Sequence, residues 1–243
     1  MSTFILVHGA WHGSWCWHKV IPLLEQEGHT AVALDMPGRA GDERPCSELT
    51  LDDYVGKITE AIGLQDEPVI LVGHSMGGGS ITQAAEICAE RIRMLVYVAA
   101  AAPPDGMSMA ASTTAHDIPL ALYGPGRAEL DEAAGCLMLS ADAPLKEMFF
   151  GECDDDDIAL ARASVTVHEA LAPTMQAVHL SAGRYGRVPK IYIECLRDQA
   201  IPIELQRAIY KPLNCEEIVT LDTDHSPFFS MPRALADALL ECA

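Results

Sequence analysis

The chain has 243 residues, of which 49% are hydrophobic and 21% are charged. This composition supplies a large apolar core and excludes an intrinsically disordered chain. The formal net charge of −19 at pH 7, which no cluster of lysines or arginines offsets, excludes a nucleic-acid-binding protein and one that docks on anionic membranes.

Short hydrophobic runs alternate with amphipathic segments in the first part of the chain. The runs that predict buried strands are residues 4–7, 31–34, 69–72 and 94–98. The helices predicted between them cover residues 17–27, 51–62 and 76–90, the second with Thr50 as its N-cap. Continuous Val/Ile/Leu runs separated by helices are typical of a parallel sheet covered by helices on both faces.

The alternation stops at Pro103 and Pro104. Mostly helical patterning follows, with little strand signal, in residues 128–139, 145–150, 155–165 and 172–180. The alternation resumes with a strand at 190–195, a helix at 202–210, a strand at 217–221 and a helix at 232–242. We therefore predict a core formed by residues 1–102 and 188–243. A helical cap of residues 103–187 is inserted after the fourth strand.

The acidic run at residues 154–157 directly precedes the predicted cap helix 155–165. Carboxylates complement the positive end of the dipole at a helix N-terminus. We interpret the run as a solvated helix start rather than a metal site. The EF-hand, P-loop and HExxH motifs are absent from the sequence.

Ser75 lies in a Gly-x-Ser-x-Gly motif, Gly73 to Gly77, between the third predicted strand and a helix. A tight turn from strand to helix projects the serine hydroxyl above the sheet, and flanking glycines let the backbone pack closely. The strand–turn–helix context predicts that Ser75 is a catalytic nucleophile.

A catalytic serine needs a base, and the base needs an acid that orients it. Asp198 and His225 follow the fifth and sixth predicted strands. Both therefore lie at the carboxyl ends of the strands, where ligands bind in open parallel sheets. The order Ser75, Asp198, His225 is typical of α/β-hydrolases. Asp222 and Asp224 are rival acids, but they lie too close to His225 in sequence for the required geometry. We expect His8 and His74 to be structural.

Two backbone amides are expected to form an oxyanion hole. Met76 N–H directly follows the nucleophile, and Ala10 N–H lies in the loop after the first strand, where Gly9 permits a sharp turn. If the first strand lies beside the third, with the second outside it, the sheet order is 2-1-3-4-5-6. Its switch point then opens a crevice between Ala10 and Ser75.

Several segments resemble the plant methylesterase and hydroxynitrile lyase group of α/β-hydrolases, to which related bacterial carboxylesterases belong. They are VHGAWHGSWCW at 7–17, LVGHSMG at 71–77, DDDIALA at 155–161, VPKIYI at 188–193 with Asp198 and Ile201-Pro202, and DHSPF at 224–228. The resemblance covers nearly the whole chain. It implies an α/β-hydrolase fold with a six-stranded, mostly parallel sheet, and cofactor-free hydrolysis of small esters under the cap.

The resemblance assigns the same nucleophile, acid, base and oxyanion amides. Lyase members of the group have threonine at the position of Gly9 and lysine at the position of Ser226. Because this chain has neither residue, the resemblance favours an esterase over a lyase. The positions it implies for substrate contacts are Gly9, Trp11, Leu122, Phe149, Ala200 and Ser226. Trp11, Trp15 and Trp17 are candidates for the lining of the pocket entrance. For at least two of them we expect a packing role in the first loop and helix.

We therefore predict a serine carboxylesterase for small, apolar or aromatic esters, methyl esters among them, without metal or cofactor. The alternatives are a lyase or another non-hydrolytic enzyme on this fold, and a receptor-like binding protein with little turnover. We expect no signal peptide, no membrane span and no disulfides among the eight cysteines, and hence a cytoplasmic protein. The expected ligand is a small-molecule ester substrate. The sequence does not decide whether the chain forms a homodimer.

Overall fold

Nine strands, numbered along the chain, form two separate sheets in a computed structural model that describes residues 1–243. All strand pairs of the large sheet are parallel, and its order is β2-β1-β3-β4-β8-β9. Its strands are β1 (Thr3–Val7), β2 (Thr30–Leu34), β3 (Val69–His74), β4 (Ile92–Val98), β8 (Lys190–Cys195) and β9 (Glu217–Leu221). Counted within this sheet alone, the order is the predicted 2-1-3-4-5-6, and the predicted fold class is confirmed.

Helices cover both faces of the large sheet. They include α1 (Ile21–Gln26), α2 (Leu51–Gly63), α3 (Gly77–Ile87), α8 (Ile203–Tyr210) and α10 (Pro232–Leu240). Successive side chains of a strand point to opposite faces, so β1 contributes Phe4 and Leu6 to one hydrophobic core and Ile5 and Val7 to the other. The two cores explain why the strands are hydrophobic without interruption.

The region between β4 and β8 contains more strand than the sequence predicts. Its helices are α4 (Met109–Thr114), α5 (Leu145–Phe149), α6 (Asp155–Ser164) and α7 (Ala172–Met175). Its strands β5 (Ala128–Asp131), β6 (Cys136–Leu139) and β7 (His168–Ala170) form an antiparallel sheet in the order β5-β6-β7. The helix predicted over residues 128–139 is therefore wrong. Gly135, at φ +65°, lies in the reversal between β5 and β6 instead.

Other predicted helix boundaries also shift. The first helix is a 3-10 turn at Ser14–Trp17 followed by α1, and the helix predicted over residues 172–180 ends at Met175. Beyond it, Val178 N–H donates to Met107 O at 3.0 Å, which ties the chain to the segment before α4 instead of continuing the helix. None of the helices combines the length and the hydropathy that crossing a bilayer requires.

The acidic run at residues 154–157 forms the start of α6, as predicted. Asp154 Oδ1 accepts a hydrogen bond from Asp157 N–H at 2.8 Å and so caps the helix. The Asp157 carboxylate is buried rather than solvated, and it pairs with Lys19 Nζ at 2.6 Å. This ion pair joins the cap to the segment that precedes α1.

Candidate active site

Ser75 occupies a sharp turn between the end of β3 and the start of α3. Its φ is +52°, in the left-handed region that a serine rarely adopts. The turn is held by its own carbonyl, since Ser75 O accepts hydrogen bonds from Gly78 N–H at 3.1 Å and Ala101 N–H at 3.0 Å. A Cβ atom at Gly77 would lie 2.6 Å from His8 O, so only glycine permits this approach. The local strain is therefore maintained by the surrounding backbone.

Asp198 and His225 are buried and in direct contact. His225 Nδ1 donates to Asp198 Oδ2 at 2.7 Å, and Asp198 Oδ1 accepts from the N–H groups of Ala200 at 2.7 Å and Ile201 at 2.9 Å. Because Nδ1 carries the proton in this arrangement, a neutral imidazole leaves its Nε2 as a hydrogen-bond acceptor. The loop after β8 thus holds the carboxylate, and the carboxylate orients the ring.

The two rival acids are committed to other partners. The exposed Asp222 forms a two-pronged ion pair with Arg197. Asp224 accepts hydrogen bonds from Glu152 N–H at 2.8 Å and Ser226 N–H at 3.0 Å, and so links the histidine loop to the cap. Neither aspartate bonds to His225, so the structure brings Asp198 to the imidazole, as the sequence predicts.

Gln206 on α8 supports the acid, and sequence reasoning missed it. Its side chain is fully buried, and its Nε2 lies 3.2 Å from Asp198 Oδ2 and 2.7 Å from Ile201 O. The Gln206 Oε1 atom accepts from Cys195 N–H at 3.0 Å. The glutamine therefore ties the end of β8 to the loop that carries Asp198. The only signal in the sequence for this role was a polar residue on the inward-facing side of an amphipathic helix.

Ser75 and His225 line the same cavity. Ser75 Oγ forms no hydrogen bond in the structure, to His225 or to any other protein group. Catalytic hydrogen bonds of this kind often form or shorten only when substrate binds. A ligand in this cavity can therefore contact the Ser75 hydroxyl and the His225 imidazole at the same time.

The amides of Ala10 and Met76 are also free. Neither N–H donates to another protein group, and both residues line the cavity beside Ser75. Met76 immediately precedes α3, so the positive end of the helix dipole is directed at the same space. Two unpartnered amides beside a strained serine can stabilise a negatively charged oxygen.

The cavity is small and apolar, with a volume of about 90 Å³. Thirteen of its 17 lining residues are hydrophobic, and none carries a carboxylate, an ammonium or a guanidinium group. Four of the implied contact positions line it: Trp11, Leu122, Phe149 and Ala200. Such a surface accommodates an uncharged ligand, since an ion would be desolvated there without a partner.

Gly9 and Ser226 lie outside the lining, contrary to expectation. Gly9 packs behind the nucleophile, and a Cβ atom at this position would lie 2.6 Å from Ser75 Cβ. The Ser226 side chain is completely buried, and its N–H is bonded to Asp224 Oδ1. Neither residue lines the cavity, and Gly9 packs directly against the nucleophile.

Three further histidines surround the site from inside the protein. His8 Nδ1 bonds to Gly9 O at 2.8 Å, and His74 Nε2 bonds to His225 O at 2.8 Å, so both hold the backbone, as predicted. Burial lowers the pKa of His8 and of His74 well below the usual value, and it lowers the pKa of His12 to about 4. These rings are neutral near pH 7. No group of three or more His, Cys, Asp or Glu side chains is arranged to hold a metal ion.

Comparisons with known proteins identify the family and the fold. The model of the alpha/beta hydrolase family matches residues 4–238. The chain is 33% identical to methylesterase 7 of Arabidopsis thaliana, covering 100% of this chain and 96% of that protein. It is 34% identical to salicylic acid-binding protein 2 of Nicotiana tabacum, covering 99% and 96%. The crystal structure of polyneuridine aldehyde esterase superposes with a TM-score of 0.88 at 27% identity, covering 99% and 98%.

Proposed function

The chain belongs to the alpha/beta hydrolase family, and on this premise we propose that it is a serine carboxylesterase for small, uncharged esters. The observation that carries the proposal is the shared cavity. It joins the hydroxyl of a strained serine, an imidazole whose Nδ1 is held by a buried carboxylate, and two free amides. Relatives named as methylesterases and a structural neighbour named as an esterase support the same reaction class.

The proposed mechanism assigns one step to each group. His225 Nε2 takes the Ser75 proton while Oγ attacks the ester carbonyl, and Asp198 stabilises the imidazolium that forms. The amides of Ala10 and Met76 bind the tetrahedral oxyanion. His225 then protonates the leaving alcohol, and it activates a water molecule that releases the acid from the acyl-enzyme.

The lining of the cavity supports an apolar or aromatic substrate. Leu122 and Phe149 from the cap face Trp11 and Ala200 from the core across the same space. A methyl ester fits this chemistry, because its alcohol portion is the smallest possible and its carboxyl group carries no charge before hydrolysis. We therefore include methyl esters of small apolar or aromatic acids in the proposal.

Replacing the nucleophile tests the proposal directly. We expect Ser75→Ala to lower kcat on a short-chain aryl ester by roughly 10⁴- to 10⁶-fold, because members of a triad act as one unit. A fluorophosphonate probe should label Ser75 in the parent protein and leave the variant unlabelled. An adduct on another residue, or a variant that retains near-normal ester hydrolysis, would contradict the proposal.

A cyanohydrin assay separates hydrolysis from lyase chemistry. No cation lines the cavity to stabilise a departing cyanide ion, and Gly9 supplies no hydroxyl. We expect the parent protein to hydrolyse an aryl ester faster than it releases benzaldehyde from mandelonitrile, after correction for spontaneous decay. Benzaldehyde release at an equal or greater rate would assign the chain to the lyases.

A further inference from the structure

The loop that carries the Ala10 amide contains a second strained residue, Trp11. Its φ is +59°, in a region that is unfavourable for a bulky side chain. Such a conformation persists only where the surroundings fix it. Trp11 is buried, so its backbone groups must find partners inside the protein.

All the partners of Trp11 come from the cap. Its N–H donates to Glu169 Oε2 at 2.6 Å, and its carbonyl accepts from Thr166 N–H at 2.9 Å. The indole N–H donates to Leu137 O at 3.3 Å. The loop of the core is thus fixed by residues of β6, of β7 and of the segment just before β7.

Glu169 is the charged member of this set, and it has no solvent exposure. Its Oε2 also accepts from Arg39, and its Oε1 accepts from Tyr54 O–H at 3.0 Å. Arg39 Nε in turn donates to His12 O at 2.7 Å. The buried ion pair therefore holds the loop on both sides of Trp11, at the N–H of Trp11 and at the carbonyl of His12.

We propose that Glu169 is a positioning residue for the oxyanion hole, acting through Trp11 on the adjacent Ala10 amide. The inference rests on the proposed function, which assigns Ala10 N–H to the oxyanion. The peptide between Ala10 and Trp11 is held at both ends, because His12 Nδ1 bonds to Ala10 O at 2.7 Å while Glu169 accepts from Trp11 N–H. The Ala10 N–H lies on the preceding peptide, whose Gly9 carbonyl is bonded to His8 Nδ1 at 2.8 Å. Fixing the Ala10–Trp11 peptide orients this N–H through the shared Ala10 Cα, and an oxyanion donor acts only when it is aimed correctly.

Glu169→Gln tests the role, because it removes the charge with almost no change in shape. Glu194→Gln is the matched control: that carboxylate is also buried, and it is also bonded to an arginine and a tyrosine, Arg207 and Tyr210, but it lies away from the cavity. We expect Glu169→Gln to lower kcat on an aryl ester by about 10- to 100-fold, less than the complete loss of an oxyanion donor. KM should change by less than about threefold, since the interaction is made only in the transition state.

A backbone change tests the same bond without disturbing the ion pair. Incorporating the α-hydroxy analogue of tryptophan at position 11 replaces the N–H by an ester oxygen and leaves Glu169 paired with Arg39. This protein should show the same fall in kcat. If Glu169→Gln does not fold, kcat of this backbone-altered protein tests the positioning role by itself.

Inhibitor binding distinguishes positioning from a general loss of structure. A trifluoromethyl ketone that adds to Ser75 places its oxyanion in the hole, whereas the product alcohol does not. We expect affinity for the ketone to fall in parallel with kcat in both altered proteins, while affinity for the alcohol is retained.

Three results would overturn the proposal: a folded altered protein with kcat within about twofold of the parent, an equal loss in Glu194→Gln, or an equal loss of affinity for both ligands. Failure of the proposed function is a separate result. It would appear in the parent protein, as absent ester hydrolysis or as activity that survives Ser75→Ala.

Discussion

At the scale of single residues, the site is built from backbone conformations that side chains usually avoid. Trp11, Ser75 and Ala99 have φ values of +59°, +52° and +42°, and they follow the carboxyl ends of β1, β3 and β4. These three adjacent strands meet at the switch point of the sheet, where ligands bind in open parallel sheets. Three of the five non-glycine residues with positive φ thus lie where the proposed chemistry takes place.

Gly9→Ala should inactivate the protein. The added Cβ would lie 2.6 Å from Ser75 Cβ and 3.2 Å from Ser75 Oγ, so either the loop or the nucleophile must move. We expect kcat on an aryl ester to fall by about a hundredfold or more, since small displacements of reacting groups have effects of this size. For the same reason, Gly9→Thr should reduce esterase activity without creating cyanohydrin cleavage.

Gly56→Ala is the control for this prediction. Gly56 lies within α2, and a Cβ at that position meets no atom within 4 Å. Alanine favours the helix over glycine by up to about 1 kcal/mol, so the control should keep its activity and gain stability. A fully active Gly9→Ala protein would show that the loop and the serine turn are not in the contact described above.

At the scale of secondary structure, local patterns predicted the core well and the cap poorly. The core strands are continuous apolar runs, and the residues that follow them include Ala10, Ser75, Met76, Asp198 and His225. In the cap, β6 pairs with β7 across some 30 residues, from Leu137 to Glu169, and no local periodicity reports such a pairing. Glu169 and Gln206 escaped prediction for a similar reason, because tertiary contacts alone explain why polar side chains are buried there.

The N-cap of α2 offers a test at this scale. Thr50 Oγ1 accepts from Asp53 N–H, and Asp53 Oδ2 accepts from Thr50 N–H at 2.9 Å, which is a capping box. Thr50→Ala should lower the free energy of unfolding by about 1 kcal/mol and leave kcat unchanged. Thr59→Ala is the same substitution inside the same helix and should cost little or nothing. Equal losses measured by urea denaturation in both variants would contradict the capping assignment.

At the scale of the whole molecule, the interior contains histidines that the fold keeps neutral. His8, His12 and His74 are all buried, and in each case burial is the largest cause of a lowered pKa. The unfolded chain exposes them to water, where a histidine has a pKa of about 6.5. Below that pH the unfolded state binds more protons than the folded state, so acid favours unfolding.

His12→Asn should flatten the pH dependence of stability. The pKa of His12 is about 4 in the folded protein, so its contribution is complete above pH 6.5 and is lost as the pH falls toward 4. Over this interval the parent should lose on the order of 3 kcal/mol more than the variant. Urea denaturation at a series of pH values measures the difference. Parallel curves for the two proteins would show that His12 is protonated equally in both states.

The hydrogen bonds between Trp11 and the cap also bear on where ligands exchange with solvent. A cap that lifted as a rigid body would break all of these bonds. Thr113, Leu120 and Tyr123, by contrast, line the cavity and are themselves partly exposed. We expect passage on that side to use side-chain rotations, which take on the order of picoseconds to nanoseconds, rather than domain motions, which take microseconds to milliseconds. We therefore expect ligands to exchange past Thr113, Leu120 and Tyr123 while the hydrogen bonds between Trp11 and the cap stay formed.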